Sequence, residues 1–131
     1  DGTSSTALLC SVTGDAFTTP LRAPLMYNYA CSKAAVERCM AMVPSPTHVA
    51  ASSTSTVSKA WEFLLGGDMP ADARLVHQAD WLAALLHGNP CATDYHNALK
   101  LGYDVESLEW PSWLTADSRV ASLLPQQVFA P

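Results

Sequence analysis

The first apolar block of this chain is a short continuous run, Ala7-Leu8-Leu9-Cys10, behind a polar, hydroxyl-rich start from Asp1 to Ser5. A run of that length predicts a buried strand. Gly14-Asp15 marks a turn, and Pro20 and Pro24 break the return segment before Leu25-Met26-Tyr27, so the pattern predicts a hairpin-like pair with a loose second strand. From Ser32 to Met42 the period changes to that of a helix. Ala35, Cys39 and Met42 share one face with Val36 and Val43 alongside, and Pro44 ends it. Pro46 keeps the following residues irregular.

Two further helices are written in the same way. "ASSTSTVSKAWEFLLGG" offers several Ser and Thr caps, then Val57, Ala60, Trp61 and Leu64 at helical spacing, then Gly66-Gly67 as a stop. "HQADWLAALLHGNP" sets Trp81, Leu82, Leu85 and Leu86 as a buried stripe, with Asp80 as N-cap, Gly88 at the C-cap and Pro90 beyond it. "TDYHNALKLGYD", Thr93 to Asp104, reads as a loop entering a short extended segment, because Asp94 and Asn97 favour turns and Gly102 permits unusual backbone angles. A last short helical stretch starts in Glu109 to Leu114. No internal repeat or low-complexity linker divides the chain.

Composition narrows the class. The 131 residues are 49% hydrophobic and 15% charged, the balance of one globular domain. At this size folding hides roughly two-thirds of the unfolded chain's surface, enough for a real core. No apolar run approaches the ~20 residues of a membrane helix. A net charge of −5, with seven scattered Lys and Arg, argues against a nucleic-acid surface. No targeting peptide is visible ahead of Asp1.

Chemistry-bearing residues are sparse. Cys10, Cys31, Cys39 and Cys91 include no C-x-x-C pair and read as reduced thiols. With His48, His77, His87 and His96 they match no zinc-site spacing. "GTSS" lacks the G-x-x-x-x-G-K frame of a Walker nucleotide loop. Trp61 and Trp81 at helical spacing read as core.

The order of the motifs carries more than any one of them. "DGTSSTALLC", "PLMYNYACSKA", "STSTVSKAW", "QADWLAALLHGNPCATDYHNALKLGYD", "WPSWL" and "LLPQQVFAP" resemble, in that order and over nearly the whole chain, the middle of the first domain of an FGGY-family carbohydrate kinase. The resemblance is nearest to the ribulokinase-like or xylulose-kinase-like branch of plants and cyanobacteria. One departure is Lys59-Ala60-Trp61-Glu62-Phe63, where relatives often carry an aromatic-rich run.

That resemblance implies an α/β fold, a fragment of a ribonuclease-H-like, actin-like kinase domain with two or three short strands at the N-terminus followed mainly by helices. It implies transfer of the γ-phosphoryl of ATP, with Mg, to a ketopentose such as ribulose or xylulose. The phosphate-binding hairpin would precede Asp1, and the catalytic Asp and adenine-binding domain would follow Pro131. This chain would then supply one wall of the sugar site and depend on the rest of its own domain or a partner chain. Alone it would leave the edge of the Ala7–Cys10 strand unpaired. The resemblance sets Ser4 as a sugar-contacting side chain, with Gly2 and Thr3 shaping its loop; a hydroxyl that donates and accepts suits a polyol. The competing reading is that Thr3, Ser4 and Ser5 satisfy backbone groups at a strand end. Asn28 reads as a cap for the following helix, and Asp94, Asn97 and Lys100 as scaffold, with Lys100 solvated. The compartment is left open between the soluble intracellular space and a plastid or other organelle. A second class of function is a kinase-like relic serving as an interaction subunit, docking through Trp61, Trp110 and Trp113. An independent sugar-binding module is a third, weakened because one wall of a cleft buries too little ligand.

Overall fold

In the computed structural model, which describes residues 5–130, strand β1 (Ala7–Ser11) runs antiparallel to β2 (Ala73–His77), with Leu8 opposite Val76 and Leu9 opposite Leu75. The continuous apolar run of β1 is explained by its two faces. Ala7 and Leu9 point into a main core shared with helices α1 (Lys33–Met42) and α2 (Thr56–Leu65), while Leu8 and Cys10 meet Phe17, Val76 and Ala84 on the other side. Helix α3 (Gln78–His87) covers that second face. The fold is therefore α/β, with this sheet layered between helices.

The expected hairpin is reduced to a bridge: Ala7 and Leu25 exchange both backbone hydrogen bonds at 2.9 Å, and the Leu21 amide donates to Leu9. β1 is thus flanked on both sides, by β2 and by this loose segment, which corrects the expectation of a bare edge there. The expected clustering of strands at the N-terminus also gives way. β3 (Ala92–Asp94) and β4 (Gln127–Phe129) form a separate parallel pair late in the chain, and helices α4 (Tyr95–Lys100), α5 (Ser112–Thr115) and α6 (Ser118–Leu123) lie between them. β2 escaped the sequence reading because Arg74 and His77 interrupt its apolar run.

Helices α1 and α2 begin where their caps dictate. Ser32 and Ser55 accept the backbone N–H of Ala35 and Ser58. Ser32, not Asn28, caps α1. Its amide and hydroxyl also donate to Glu62 Oε2 at 2.9 and 2.8 Å, which ties the start of α1 to the side of α2. The first six residues of α2, Thr56 to Trp61, are buried on every face, the condition of a central helix. Trp61 donates to Met42 Sδ and lies between the guanidinium groups of Arg38 and Arg119, 5.4 and 4.9 Å from its ring.

Of the stripe expected on α3 only Trp81 packs inward, against the second core, where its indole donates to the Phe17 carbonyl at 2.8 Å; Leu82, Leu85 and Leu86 are exposed, Leu86 at 91%, and the helix buries Asp80 and Ala84. Gly88 closes the helix in the left-handed conformation, as its position predicts. Gly102 carries φ +96°, and a Cβ there would lie 2.7 Å from Trp113 Cη2, so both angle and space require glycine. Among the described residues no helix is long and apolar enough to cross a membrane.

Candidate functional site

Ser5, the first described residue, stands in the left-handed region at φ 69°, a conformation uncommon outside glycine. The neighbouring Lys59 of α2 holds it there. Lys59 Nζ donates to the Ser5 carbonyl at 2.6 Å and to the Tyr27 carbonyl at 3.3 Å. Lys59 is 0% exposed, and among the described residues its ammonium forms no ion pair with a carboxylate. Burial lowers its pKa below the usual lysine value.

Ser5 and Tyr27 also border a cleft of about 280 Å³, together with Ser52, Thr54, Ser55 and Lys100. With Val49 the lining has seven residues, of which five carry hydroxyls. Such a lining donates and accepts in equal measure, which is what a polyhydroxylated ligand presents in return. Ser55 doubles as the cap of α2, and Ser52 and Thr54 lie 3.4 Å apart, oxygen to oxygen. Gly2, Thr3 and Ser4, and Asp1 with them, lie outside the described residues. Asn28 is exposed beside Tyr27.

A second polar cluster is built inside the fold. Thr56 Oγ1 lies 3.2 Å from His77 Nε2, and His77 Nδ1 lies 3.5 Å from Asp80 Oδ2 without forming a hydrogen bond. Asp80 accepts from Thr93 Oγ1 at 2.7 Å and from Asn97 Nδ2 at 3.2 Å. The hydroxyl–imidazole–carboxylate order resembles a nucleophilic triad, but Thr56 is fully buried, so no substrate carbonyl can reach it. The network is a strut joining α2, β2, α3, β3 and α4. It also corrects Asp80: the residue lies inside the first turn of α3, whose N-cap is His77, and serves as the acceptor at the centre of this cluster.

The segment from Thr93 to Asp104 is accordingly scaffold, but of another shape than expected: the end of β3 followed by helix α4, not a loop entering an extended segment. Asp94 caps α4 by accepting the Asn97 N–H at 2.9 Å. Lys100 is half-buried at the hydroxyl-lined cleft rather than fully solvated. A second cleft, of about 460 Å³, is bordered by Asp80, His87, Thr93, Asp94 and Phe129.

The remaining reactive side chains are quiet. Burial pushes the Cys10 and Cys31 thiols up to about 11, away from the thiolate a nucleophile needs. All four cysteines are free, and among the described residues no three His, Cys, Asp or Glu groups gather as a metal site. Asp72, Asp104 and Asp117 are held below the usual carboxylate range by local hydrogen bonds, from Ser11 and Thr13, from the Glu106 and Ser107 amides, and from Arg119. Trp61 is buried, and Trp110 and Trp113 are half-buried against the main core, so the three do not make an open docking face. The chain matches no model of a known protein family.

Sequence reading passed over Lys59 and His77. The signal for Lys59 was its place on a helix whose neighbours are nearly all apolar or small, with Phe63 four residues on and Thr56 three before. A cation there has no route to water. His77 sits in step with Ala73 and Leu75 on the inward face of β2, which becomes readable only once β2 is recognised.

Proposed function

We propose that this chain forms part of the sugar-binding side of an FGGY-type carbohydrate kinase that phosphorylates a ketopentose of the ribulose or xylulose type, within a ribonuclease-H-like, actin-like domain. The observation that carries the reading is the hydroxyl-lined cleft of about 280 Å³ at Ser5, directly after Gly2, Thr3 and Ser4 in the sequence. Its size and lining suit a five-carbon polyol. ATP and Mg, and the acidic group that takes the hydroxyl proton, are then supplied by segments other than those described; Asp72, Asp80, Asp94 and Asp104 are engaged in caps, turns and struts, and no described carboxylate borders the hydroxyl-lined cleft.

The test is ATP consumption by the natural full-length protein carrying this chain, with ribulose, xylulose and glycerol offered in turn. Pentulose-dependent turnover that stops on chelation of Mg is expected. Ser4→Ala should raise the Michaelis constant for the pentulose about two- to tenfold, the worth of one hydrogen bond to a neutral hydroxyl. Absence of sugar-dependent turnover with every sugar would overturn the reading. A second reading, an interaction subunit of a larger assembly, is favoured by one observation, the exposed Leu82, Leu85 and Leu86 on α3. It predicts co-purification of a stoichiometric partner that Leu86→Glu releases, and an unchanged monomer would count against it.

A further inference from the structure

We propose that the cleft of about 280 Å³ is an anion subsite in which Lys100 receives a phosphoryl group, that of a phosphomonoester or of inorganic phosphate. The cleft is the one used in the kinase reading above, but the inference rests on its charge and goes beyond that reading.

The chain carries a net charge of −5, with 12 Asp and Glu against 7 Lys and Arg, so a cleft placed without regard to charge meets a carboxylate. Three other clefts, of about 460, 420 and 400 Å³, do so: Asp80 and Asp94 border the first, Asp104 and Glu106 the second, and Asp68 the third. The hydroxyl-lined cleft borders none, and it includes the half-buried Lys100. Among the described residues the Lys100 ammonium forms no hydrogen bond or ion pair, so its charge is unspent. A second cation adds to it. The Lys59 ammonium is bound to the carbonyls of Ser5 and Tyr27, two residues of the lining, and has no described carboxylate beside it. Ser52, Thr54 and Ser55 lead into the first turn of α2, so the positive end of that helix falls at the same place.

Hydrogen-bond counting agrees. The Ser55 hydroxyl is used inside the fold, accepting from the Ser58 amide and donating to Ser58 Oγ. Ser52 and Thr54 share one hydroxyl proton at 3.4 Å, which leaves the other free to donate. The hydroxyls of Ser5 and Tyr27 form no hydrogen bond among the described residues. Three hydroxyl donors and an ammonium therefore remain for a ligand. The three strong acceptor oxygens of a phosphoryl group answer all of them, whereas a neutral polyol leaves the ammonium without a counter-charge.

The test is calorimetric titration of the natural full-length protein with inorganic phosphate, with xylulose 5-phosphate and with free xylulose. Lys100→Met keeps the stem and removes the charge, so it should weaken both phosphate-bearing probes about tenfold and change xylulose by less than about twofold. Ser52→Asp sets a carboxylate in the cleft at an exposed position, should weaken the same two probes, and decides the matter if Lys100→Met does not fold. Tighter binding of xylulose 5-phosphate than of inorganic phosphate marks a phosphomonoester site, and affinity no better marks a site for the free anion. The inference is overturned if neither probe binds at about 10 mM, if the variant binds both as tightly as wild type, or if free xylulose loses as much affinity as they do. Phosphate binding that depends on Lys100 in a protein without sugar-dependent turnover removes the kinase reading alone. An active kinase whose phosphate binding ignores Lys100 removes this inference alone.

Discussion

The two buried polar centres of this protein are built on opposite plans. Around Asp80, side chains answer side chains: Thr93 and Asn97 donate to its two oxygens, His77 stands beside them, and the cluster spans five elements, with Asp80 and Thr93 also bordering the cleft of about 460 Å³. Around Lys59, one cation answers only main-chain oxygens, and both of its partners border an open cleft. The first arrangement spends its polarity on joining elements together. The second holds a charge that the fold itself has little need of, which is why function is sought beside it.

That contrast can be broken by measurement, and the largest effect belongs to the side-chain cluster. Asp80→Ala removes the shared acceptor of Thr93 and Asn97 and leaves buried donors unpaired, so chemical denaturation should show a loss of about 3–5 kcal/mol. A loss under about 1 kcal/mol would mean that water reaches the cluster and that the plans do not differ. Gly102→Ala comes next. Its Cβ would press on Trp113 at a positive φ, and a loss of about 1–3 kcal/mol is expected by the same assay.

Lys59→Met is expected to change stability by less than about 1 kcal/mol, because the stem packing is kept and a buried charge is removed. An effect as large as that of Asp80→Ala would make the two centres alike. The dependence on pH sharpens this further. Burial lowers the Lys59 pKa, so the unfolded chain binds the extra proton, and the lysine's burden on the fold is relieved as pH rises from its lowered value toward 10.5. Cys10 and Cys31 act oppositely, since their pKa values rise from 9.0 to about 11 and the stability they contribute is lost across that interval. The difference between wild type and Lys59→Met, which cancels Cys10 but not Cys31, whose thiol feels the Lys59 ammonium, should shrink or reverse in favour of wild type as the pH rises from the lowered Lys59 value toward 10.5.

The smallest expected effect lies at the surface. Hydrogen bonds from Ser11 and Thr13 hold Asp72 below its ordinary value of 3.8, so its contribution is present above that value and is lost as pH falls through the lowered one. Asp72→Asn should flatten the acid limb of the stability curve below about pH 4 and leave neutral stability nearly unchanged. Equal acid sensitivity in both proteins would show the carboxylate to be free in solution.

Much of the fold was legible where local chemistry decides. Ser32, Ser55 and Gly88 set helix ends by their own hydrogen bonds or backbone freedom, and Pro44 stops α1 without help from the rest of the chain. Legibility failed where long-range packing decides. Leu82, Leu85 and Leu86 have the spacing of a buried stripe, yet the face of α3 that turns inward is the one carrying Asp80, because Thr93 and Asn97 wait there. β2 is polar at Arg74 and His77, and only its pairing with β1 makes a strand of it. Of the candidate site, Gly2, Thr3 and Ser4 lie outside the described residues, and the cation that joins the Ser5 and Tyr27 carbonyls was hidden inside a helix, since nothing in residue type says which way a lysine points.

The pairing of β1 with β2 also sets a timetable. Ala7 and His77 are about 70 residues apart, so β1 waits for its partner β2 until two helices have followed it out of the ribosome. At roughly 5–20 residues per second, that interval lasts on the order of several seconds. Throughout it, Leu8, Leu9 and Cys10 are a short apolar segment on a growing chain, open to capture by chaperones or by another nascent copy. The yield of this protein in a cell should therefore respond to translation speed and chaperone supply between residues 11 and 77, a stretch whose codons matter to a strand already made.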